Sequence, residues 1–378
     1  MTATALPGFE ALRDAYATAR QAPGALRPPG KPLIGVIGAA PLELVAAAGA
    51  HAVNLARPPY GPTPAADRYM DDIIPTDAHA FFQAAHDGLY SGFDLLVLSR
   101  GHDKLFYYLK EALRIGDGAA FPPLHMFDLM ESRRTAVEAY NRGQFEALAQ
   151  RLQRLTGRRI GDAELDAALA DATAVRALRR RLLAHRRERR LSGVESLQAI
   201  GAGMAMAPQG YLAALGPMVE ALDRDASPRR QGPALLVISA EPLDGLALHA
   251  ALESTDALVV AEDDAWGSRC AEALEDAPAS ASEAIFRRAW TAAVGPGVFP
   301  TQDRLGWAER AGLDPGVDAV VFYVPPSDHQ FGWDYPALRR AFDQAGKPCL
   351  LVRRDVREAP DAVAEAARQF LSGVRRAA

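Results

Sequence analysis

The chain has 378 residues, of which 49% are hydrophobic and 24% charged, and its formal net charge is −5. This length favours two domains, the composition is that of a globular protein, and the charge gives no support to nucleic-acid or membrane-surface binding. The sequence contains no stretch of about 18 uncharged apolar residues, so it predicts no membrane-spanning helix. The N-terminal segment carries Glu10, Arg13 and Asp14 where a signal peptide requires an apolar core, so we expect a cytoplasmic protein whose residues 1–30 form a helical arm.

Short apolar runs recur along the chain, separated by segments of helix length. The runs are Leu33–Ile37, Ala52–Leu55, Asp94–Leu98 and Pro123–Phe127 in the first half, and Ala234–Ile238, Ala257–Ala261, Ala319–Val324 and Cys349–Val352 in the second. Such runs are typical of strands buried in a parallel sheet, and their alternation with helices indicates βα units. We therefore predict an α/β fold with two similar parallel-sheet domains of the Rossmann or flavodoxin-like type, at residues 31–130 and 232–378.

The two halves also match in detail. The segment IGAAPLEL after the first run resembles ISAEPLDGL after the fifth, and FDLLVLSRGHD resembles VDAVVFYVPPSD. This match aligns Glu43 with Asp244 and Asp103 with Asp328. Turn residues can recur by chance after any strand, but the shared order of four strand units favours a structural duplication.

The segment between the halves, residues 131–231, differs from both. It is rich in Ala, Leu, Arg and Glu with apolar residues at helical spacing, which predicts a helical bridge followed by a linker at Ser227–Pro233. Within it, Arg176–Arg190 is strongly basic, and its period predicts one apolar and one solvated cationic face. Binding of coenzyme A phosphates or of an acidic partner is the alternative for this run.

Ligands of open α/β sheets collect beyond the carboxyl ends of the strands, and two facing domains would place four loops around one cleft. Carboxylates and histidines in such loops are candidates for general acid–base catalysis. The alternative role of each is to cap a helix, and the histidines could also be metal ligands. The candidate catalytic residues are Glu43, His102 and Asp103. The other polar residues of these loops are Arg100, Glu241, Asp244, Ser327, Asp328 and His329, of which we assign Arg100, Ser327, Asp328 and His329 to substrate binding.

The cysteine content and the absent motifs narrow the chemistry. Cys270 and Cys349 are the only cysteines, and two thiolates cannot complete a zinc or iron–sulfur site. Cys349 lies in a predicted strand and is expected to be a buried structural thiol. The sequence contains no G-x-G-x-x-G, Walker A, G-x-S-x-G or H-E-x-x-H motif.

Four segments carry a resemblance to a known family. They are APLELVAAAGAHAVNL (Ala40–Leu55), AYNRGQFEALAQRLQRLTGRRIGDAELDAAL (Ala139–Leu169), ALVVAEDDAWGSR (Ala257–Arg269) and SDHQFGWDYPALRRAFDQAGKPCLLVRRD (Ser327–Asp355). Their order and spacing resemble subunits of the 2-hydroxyacyl-CoA dehydratases and class I benzoyl-CoA reductases. The resemblance implies two α/β domains with a helical bridge, heterodimers of related subunits, an ATP-dependent activator and an acyl-CoA thioester substrate.

The resemblance also implies a 4Fe-4S cluster held by three cysteines of each subunit, and here the sequence departs from the family. Ile74, His102 and Ser327 stand at the cysteine positions, while the flanking Pro75, Asp103 and Asp328 match the family. Ile offers no ligand atom and Ser is a harder donor than iron–sulfur sites normally use. We therefore expect no cofactor bound by this chain alone and a 4Fe-4S cluster in a partner subunit.

Three hypotheses follow for function. The chain is a cluster-lacking subunit of an acyl-CoA dehydratase (a lyase) or an aryl-CoA reductase, paired with a cluster-bearing paralogue. Alternatively, it is a non-catalytic two-lobed protein that binds a small molecule such as an acyl-CoA. The third alternative is a cluster-independent acyl-CoA lyase that uses Glu43, His102 and Asp103.

Overall fold

The computed structural model describes residues 6–59, 61–117, 121–226, 229–239, 242–272, 280–291, 298–326, 328 and 331–377. Within these residues the strands are β1 Leu33–Ile37, β2 His51–Asn54, β3 Leu95–Ser99, β4 Leu124–Phe127, β5 Ala234–Ser239, β6 Leu258–Glu262, β7 Ala319–Tyr323 and β8 Cys349–Val352. The helices are α1 Phe9–Gln21, α2 Leu42–Ala47, α3 Thr76–His86, α4 Asp103–Ile115, α5 Glu138–Thr156, α6 Asp162–Arg187, α7 Gly193–Ala202, α8 Pro208–Arg224, α9 Ala247–Glu253, α10 Ala281–Thr291, α11 Thr301–Gly312, α12 Tyr335–Gln344 and α13 Pro360–Ala377. None of these helices is both long and apolar enough to cross a membrane.

The strands form two four-stranded, all-parallel sheets that share one topology. The first sheet has the order β2-β1-β3-β4 and the second β6-β5-β7-β8. The predicted α/β class and the duplication of strand order are therefore confirmed. The places where one domain ends and the next begins stay predictions.

Both faces of the first sheet are covered, which explains its continuous apolar strands. Leu33 and Ile37 of β1 point into one hydrophobic cluster, while Ile34 and Val36 point into another on the opposite face. This alternation is the two-residue period of a strand. Because helices cover both faces, no position along β1 is left for a polar side chain.

The helical segment between the sheets has its own core, formed by α1, α6, α7 and α8. The predicted amphipathic N-terminal helix is present as α1, and its Phe9, Leu12 and Tyr16 are buried in that core. Helix α6 also contacts both sheet domains. Near its middle Arg176 pairs with Glu43, at 2.9 Å between Nη1 and Oε1, and near its C-terminal end Arg186 pairs with Glu262, at 2.7 Å between Nη1 and Oε2.

The prediction that one face of the basic run Arg176–Arg190 is solvated is wrong for three of its arginines. Arg176, Arg179 and Arg186 are buried. Each of these guanidinium groups has a hydrogen-bond acceptor that offsets the desolvation of its charge, and several of these acceptors are distant in sequence. Two exposed arginines of the run pair with carboxylates as well, Arg181 with Asp223 and Arg187 with Asp314.

Candidate functional site

The carboxyl edges of the two sheets face each other, as contacts at two points show. After β2, the backbone N–H of Arg57 donates to Oδ2 of Asp244, which follows β5, over 2.6 Å. After β4, the backbone of Glu131 and Arg133 hydrogen-bonds to Phe299 of the second half. The loops after β2, β4 and β5 therefore lie between the sheets, at the carboxyl edges where open α/β proteins bind ligands.

His102 lies at the point of the first sheet where the strand order reverses, between β1 and β3. Gly38 follows β1 with φ +90°, and a Cβ there would lie 2.9 Å from Cδ2 of His102 and 2.0 Å from Oγ of Ser99. The Ser99 hydroxyl accepts a hydrogen bond from the backbone N–H of Ala39 over 3.0 Å. A glycine is required at position 38 because the imidazole and the hydroxyl occupy the space of a side chain.

The surroundings of His102 favour a neutral imidazole. Burial lowers its pKa, and the charge of Arg57 acts in the same direction, while Asp77 and Asp103 oppose the shift. The ring of Phe81 packs edge-on against it with centroids 6.2 Å apart. Within the described part of the chain no side chain hydrogen-bonds this ring. A neutral imidazole with both nitrogens available can donate to one ligand atom and accept from another.

Replacing Gly38 with alanine is expected to destabilise the protein by about 1–3 kcal/mol, because the new Cβ is strained at φ +90° and collides with Ser99. The His102 ring must also move, which should change its proton NMR titration. Gly116→Ala is the matched control, since Gly116 has φ +83° and no atom within 4 Å of an added Cβ. Equal losses of stability in the two variants, with an unchanged His102 titration, would contradict the close packing of His102 on Gly38.

Glu131 is a candidate that the sequence analysis missed. It follows β4 and is half-buried, and burial raises the pKa of its carboxyl group although Arg100, Arg304 and Arg133 oppose the shift. A carboxyl group that retains its proton more readily than usual is suited to proton transfer. The sequence could have indicated this residue, since Glu131 occupies a loop after a predicted strand just as His102 does.

A second missed group is the acidic pair after β6. Burial raises the pKa of Asp263 to about 7, although a hydrogen bond from the backbone N–H of Ser239 and the charge of Arg269 favour its ionised form. Burial also raises the pKa of Asp264 well above its usual value, and Glu262 adds to that shift. Oδ2 of Asp264 accepts from the backbone N–H of Leu243, which ties the loops after β5 and β6 together.

The raised pKa of Asp263 predicts that the free energy of unfolding falls as pH rises from about 4 to about 7. In this range the folded chain keeps the Asp263 proton and the unfolded chain does not. The unfolded chain releases this proton near pH 3.8 and the folded chain near pH 7, so the stabilisation is present below about pH 4 and lost above about pH 7. Asp263→Asn removes this term, which contributes up to about 1.4 kcal/mol per pH unit. Urea unfolding of both proteins between pH 4 and 8 should show a shallower decline for the variant. The same slope for wild type, Asp263→Asn and the exposed control Asp71→Asn would contradict the assignment.

The structure places the remaining predicted residues in several different environments. Glu43 lies in the first turn of α2 and binds Arg176, whereas Asp103 is exposed at the start of α4. Arg100 donates to Oδ1 of Asp128 over 2.8 Å. Asp328 accepts from the backbone N–H groups of Phe331 and Gly332, as a turn residue does. Three candidates lie outside the described residues, namely Glu241, Ser327 and His329.

Asp244 does not cap a helix, contrary to the capping alternative. Helix α9 begins at Ala247, and the Asp244 carboxylate instead accepts from the backbone N–H and Nε of Arg57. Its backbone carbonyl accepts from the hydroxyl of Tyr16 over 2.7 Å and from Nη1 of Arg20 over 2.9 Å. This arrangement, which we call the Asp244 clasp, joins α1 to both sheets.

The family's cysteine positions offer no ligand set for iron among the described residues. Ile74 is buried in the core of the first domain, and Ser327 lies outside the description. Cys270 packs in the core of the helical segment, and Cys349 begins β8, at the opposite end of that strand from the cleft. Burial raises the pKa of both thiols to about 11, so neither is a ready thiolate. Nor do three His, Cys, Asp or Glu side chains of the described residues converge as a metal site.

Comparisons with known proteins identify the family. No curated protein sequence matches the chain. A family model does match, the one described as 2-hydroxyglutaryl-CoA dehydratase, D-component, over residues 38–369. That range includes every strand of the second sheet, and all of the first sheet except β1, whose last residue is Ile37. The chain therefore belongs to the 2-hydroxyglutaryl-CoA dehydratase D-component family.

Proposed function

We propose that this chain is a cluster-lacking subunit of a 2-hydroxyacyl-CoA dehydratase-type complex, which binds the acyl-CoA thioester between its two sheets. Family membership supports the dehydratase part of the proposal. The observation that carries the rest is the replacement of the family's thiol positions by the buried Ile74 and by His102, an imidazole of lowered pKa. Ile74 offers no ligand atom, and His102 alone cannot replace three thiolates, so the cluster would belong to a cysteine-bearing partner.

The cleft residues fit a thioester. A neutral His102 can donate a hydrogen bond to the thioester oxygen, where negative charge increases during reaction. Glu131, whose pKa is raised by burial, can accept or return a proton, and Arg100, Arg133 and Arg304 lie close enough to stabilise its anion. These roles use residues of this chain only, and redox chemistry would come from the partner.

Iron analysis tests the absence of a cluster. After anaerobic expression alone and reconstitution with iron and sulfide, the chain should hold no stoichiometric cluster, whereas its complex with a cysteine-containing paralogue should. A 4Fe-4S signal in the isolated Cys270→Ala/Cys349→Ala variant would refute this part of the proposal.

Calorimetry with acyl-CoA esters, with and without the paralogue, tests the binding role. A working site should bind at the micromolar level, about −8 kcal/mol. His102→Ala should weaken binding by about 1–3 kcal/mol, the effect of losing a buried hydrogen-bond partner. His86→Ala on α3 is the control and should leave binding unchanged. If no CoA ester binds in any combination, the cleft has only a structural role.

A second candidate, a cluster-independent acyl-CoA lyase, is favoured by the environment of Glu131. Its raised pKa and its position after β4 suit proton transfer without a metal. Under this candidate the isolated chain should be active on an acyl-CoA, and Glu131→Gln should abolish that activity. Inactivity of the isolated chain together with activity of the iron-bearing complex would leave the first proposal.

A further inference from the structure

A cavity lies among α2, α5, α6 and α10, and none of the residues that line it is one of the cleft residues described above. Its volume is about 210 Å³. Its walls include the buried apolar side chains of Leu44, Phe145, Leu165 and Phe286. The polar residues Arg142, Glu146, Gln153 and Ser282 complete the lining. An apolar cavity of about 150 Å³ is large enough to hold a benzene ring, so this one can take a ring or a short carbon chain.

A basic groove adjoins the cavity at the end of α5. The groove has a volume of about 560 Å³ and is lined by Gln150, Gln153, Arg154, Gly157, Arg158 and Arg159. Gln153 lines both spaces, so they meet at this side chain. The Gln153 amide oxygen accepts from the backbone N–H of Ile160 over 2.9 Å, which fixes the loop that carries Arg158 and Arg159.

The arginines of this groove form no ion pair with a carboxylate of the described residues. This holds for Arg154, Arg158 and Arg159, and for Arg151 beside them on α5. On α6, by contrast, Arg176, Arg181, Arg186 and Arg187 each pair with a carboxylate. Burial lowers the pKa of the nearby His125 to about 4, and the charges of Arg151 and Arg154 add to that shift, so His125 contributes no positive charge of its own.

The guanidinium of Arg158 occupies the space that a side chain at position 49 would need. A Cβ on Gly49 would lie 2.5 Å from Nη1 of Arg158, so the guanidinium packs directly over the glycine backbone. Gly49 has φ +78°, a conformation that favours glycine. This contact positions the Arg158 guanidinium, while the side chains of Arg154, Arg158 and Arg159 remain exposed to a ligand.

We propose that this cavity and groove form a binding site for an amphiphilic phosphate monoester. The apolar group would enter the cavity beside Phe145 and Phe286, whose rings pack edge to face with centroids 5.7 Å apart, and the phosphate would bind Arg154, Arg158 and Arg159. Guanidinium groups match phosphate oxygens in geometry and charge. The site is independent of the proposed acyl-CoA cleft, since none of its residues contributes to the Asp244 clasp or to the surroundings of His102.

Calorimetry of the full chain with octyl phosphate tests the site, with inorganic phosphate as a second titrant. We expect one octyl phosphate per chain and at least tenfold weaker binding of inorganic phosphate, which lacks the apolar group. Arg158→Gln/Arg159→Gln should weaken octyl phosphate binding at least tenfold. Ala149→Leu fills the cavity and should weaken octyl phosphate binding while leaving inorganic phosphate binding unchanged.

Arg13→Gln/Arg224→Gln removes the same charge elsewhere and should have no effect on octyl phosphate binding. All variants should retain acyl-CoA binding in the cleft, which separates this proposal from the proposed function. Absence of saturable octyl phosphate binding, or equal loss in the control variant, would overturn the proposal. Binding only to vesicles of phosphatidylcholine with phosphatidic acid, and not to free octyl phosphate, would also overturn it, because the ligand would then be a membrane surface.

Discussion

Replacing Arg186 with methionine is expected to lower the free energy of unfolding by about 3–5 kcal/mol. Arg186 is 0% exposed and binds both oxygens of Glu262, and its Nε donates to the backbone carbonyl of Val259 over 2.8 Å. Burial alone would raise the pKa of Glu262, but Arg186 and a hydrogen bond from His249 outweigh it and lower the pKa to about 2. Without Arg186 a buried carboxylate loses its main counter-charge.

The pH dependence of this loss separates it from simple loss of packing. Because the folded pKa of Glu262 is depressed, its stabilisation is present above about pH 4.5 and is lost as pH falls towards 2. The defect of Arg186→Met should therefore be larger at pH 7 than at pH 4, where Glu262 of the variant can take up a proton. Guanidinium unfolding at both pH values measures the difference.

Two further variants complete this test. Arg187→Met alters the next residue, which is exposed and pairs with Asp314, and should cost less than about 1 kcal/mol. Arg186→Met/Glu262→Gln removes the unpaired charge and keeps an acceptor for His249, so it should recover much of the lost stability. Similar losses for Arg186→Met and Arg187→Met would show that the buried pair has no special weight.

Replacing Asp244 with alanine should cost about 3 kcal/mol and loosen the contact between the sheets. The Asp244 side chain is 5% exposed and accepts from the backbone N–H and Nε of Arg57. Its removal leaves the Arg57 backbone N–H without this acceptor and takes the carboxylate away from the guanidinium, whose Nη2 still donates to the carbonyl of Pro242. Hydrogen exchange should then become faster at Arg57 and along α1, which the Asp244 clasp joins to both sheets.

Tyr16→Phe provides a graded comparison for the Asp244 clasp. The Tyr16 hydroxyl donates to the backbone carbonyl of Asp244, and burial raises the pKa of this hydroxyl to about 12. Loss of this one hydrogen bond should cost about 1 kcal/mol and leave exchange at Arg57 unchanged. If Asp244→Ala unfolds no more easily than Tyr16→Phe, the carboxylate is not what holds the sheets together.

The strands could be predicted from the sequence because each is a short apolar run buried on both faces. All eight predicted runs are strands, with ends that differ by at most one residue, as at Leu95–Ser99 and His51–Asn54. The matching loops IGAAPLEL and ISAEPLDGL correctly indicated two sheets of the same order. Such predictions succeed because a local pattern and the fold agree.

The arginines of α6 and the acids of the cleft could not be predicted in the same way. Hydropathy assigns an arginine to solvent, but Arg186 is buried because Glu262, 76 residues away in sequence, lies opposite it. The raised pKa values of Glu131 and Asp263 likewise arise from burial by distant segments. Only the sequence position of these acids, just after a strand, could have marked them as candidates.

The two ion pairs of α6 also fix the number of residues between Arg176 and Arg186. Arg176 faces Glu43 of the first domain and Arg186 faces Glu262 of the second, ten residues further on, or about 15 Å along the axis. Inserting or deleting one residue between them would turn one guanidinium by about 100° relative to the other, so both pairs could not form at once. Substitutions on the outer surface of α6 leave this angular phase intact. The helix therefore sets both the distance and the relative rotation of the two sheets, and related chains that keep both pairs must keep this spacing.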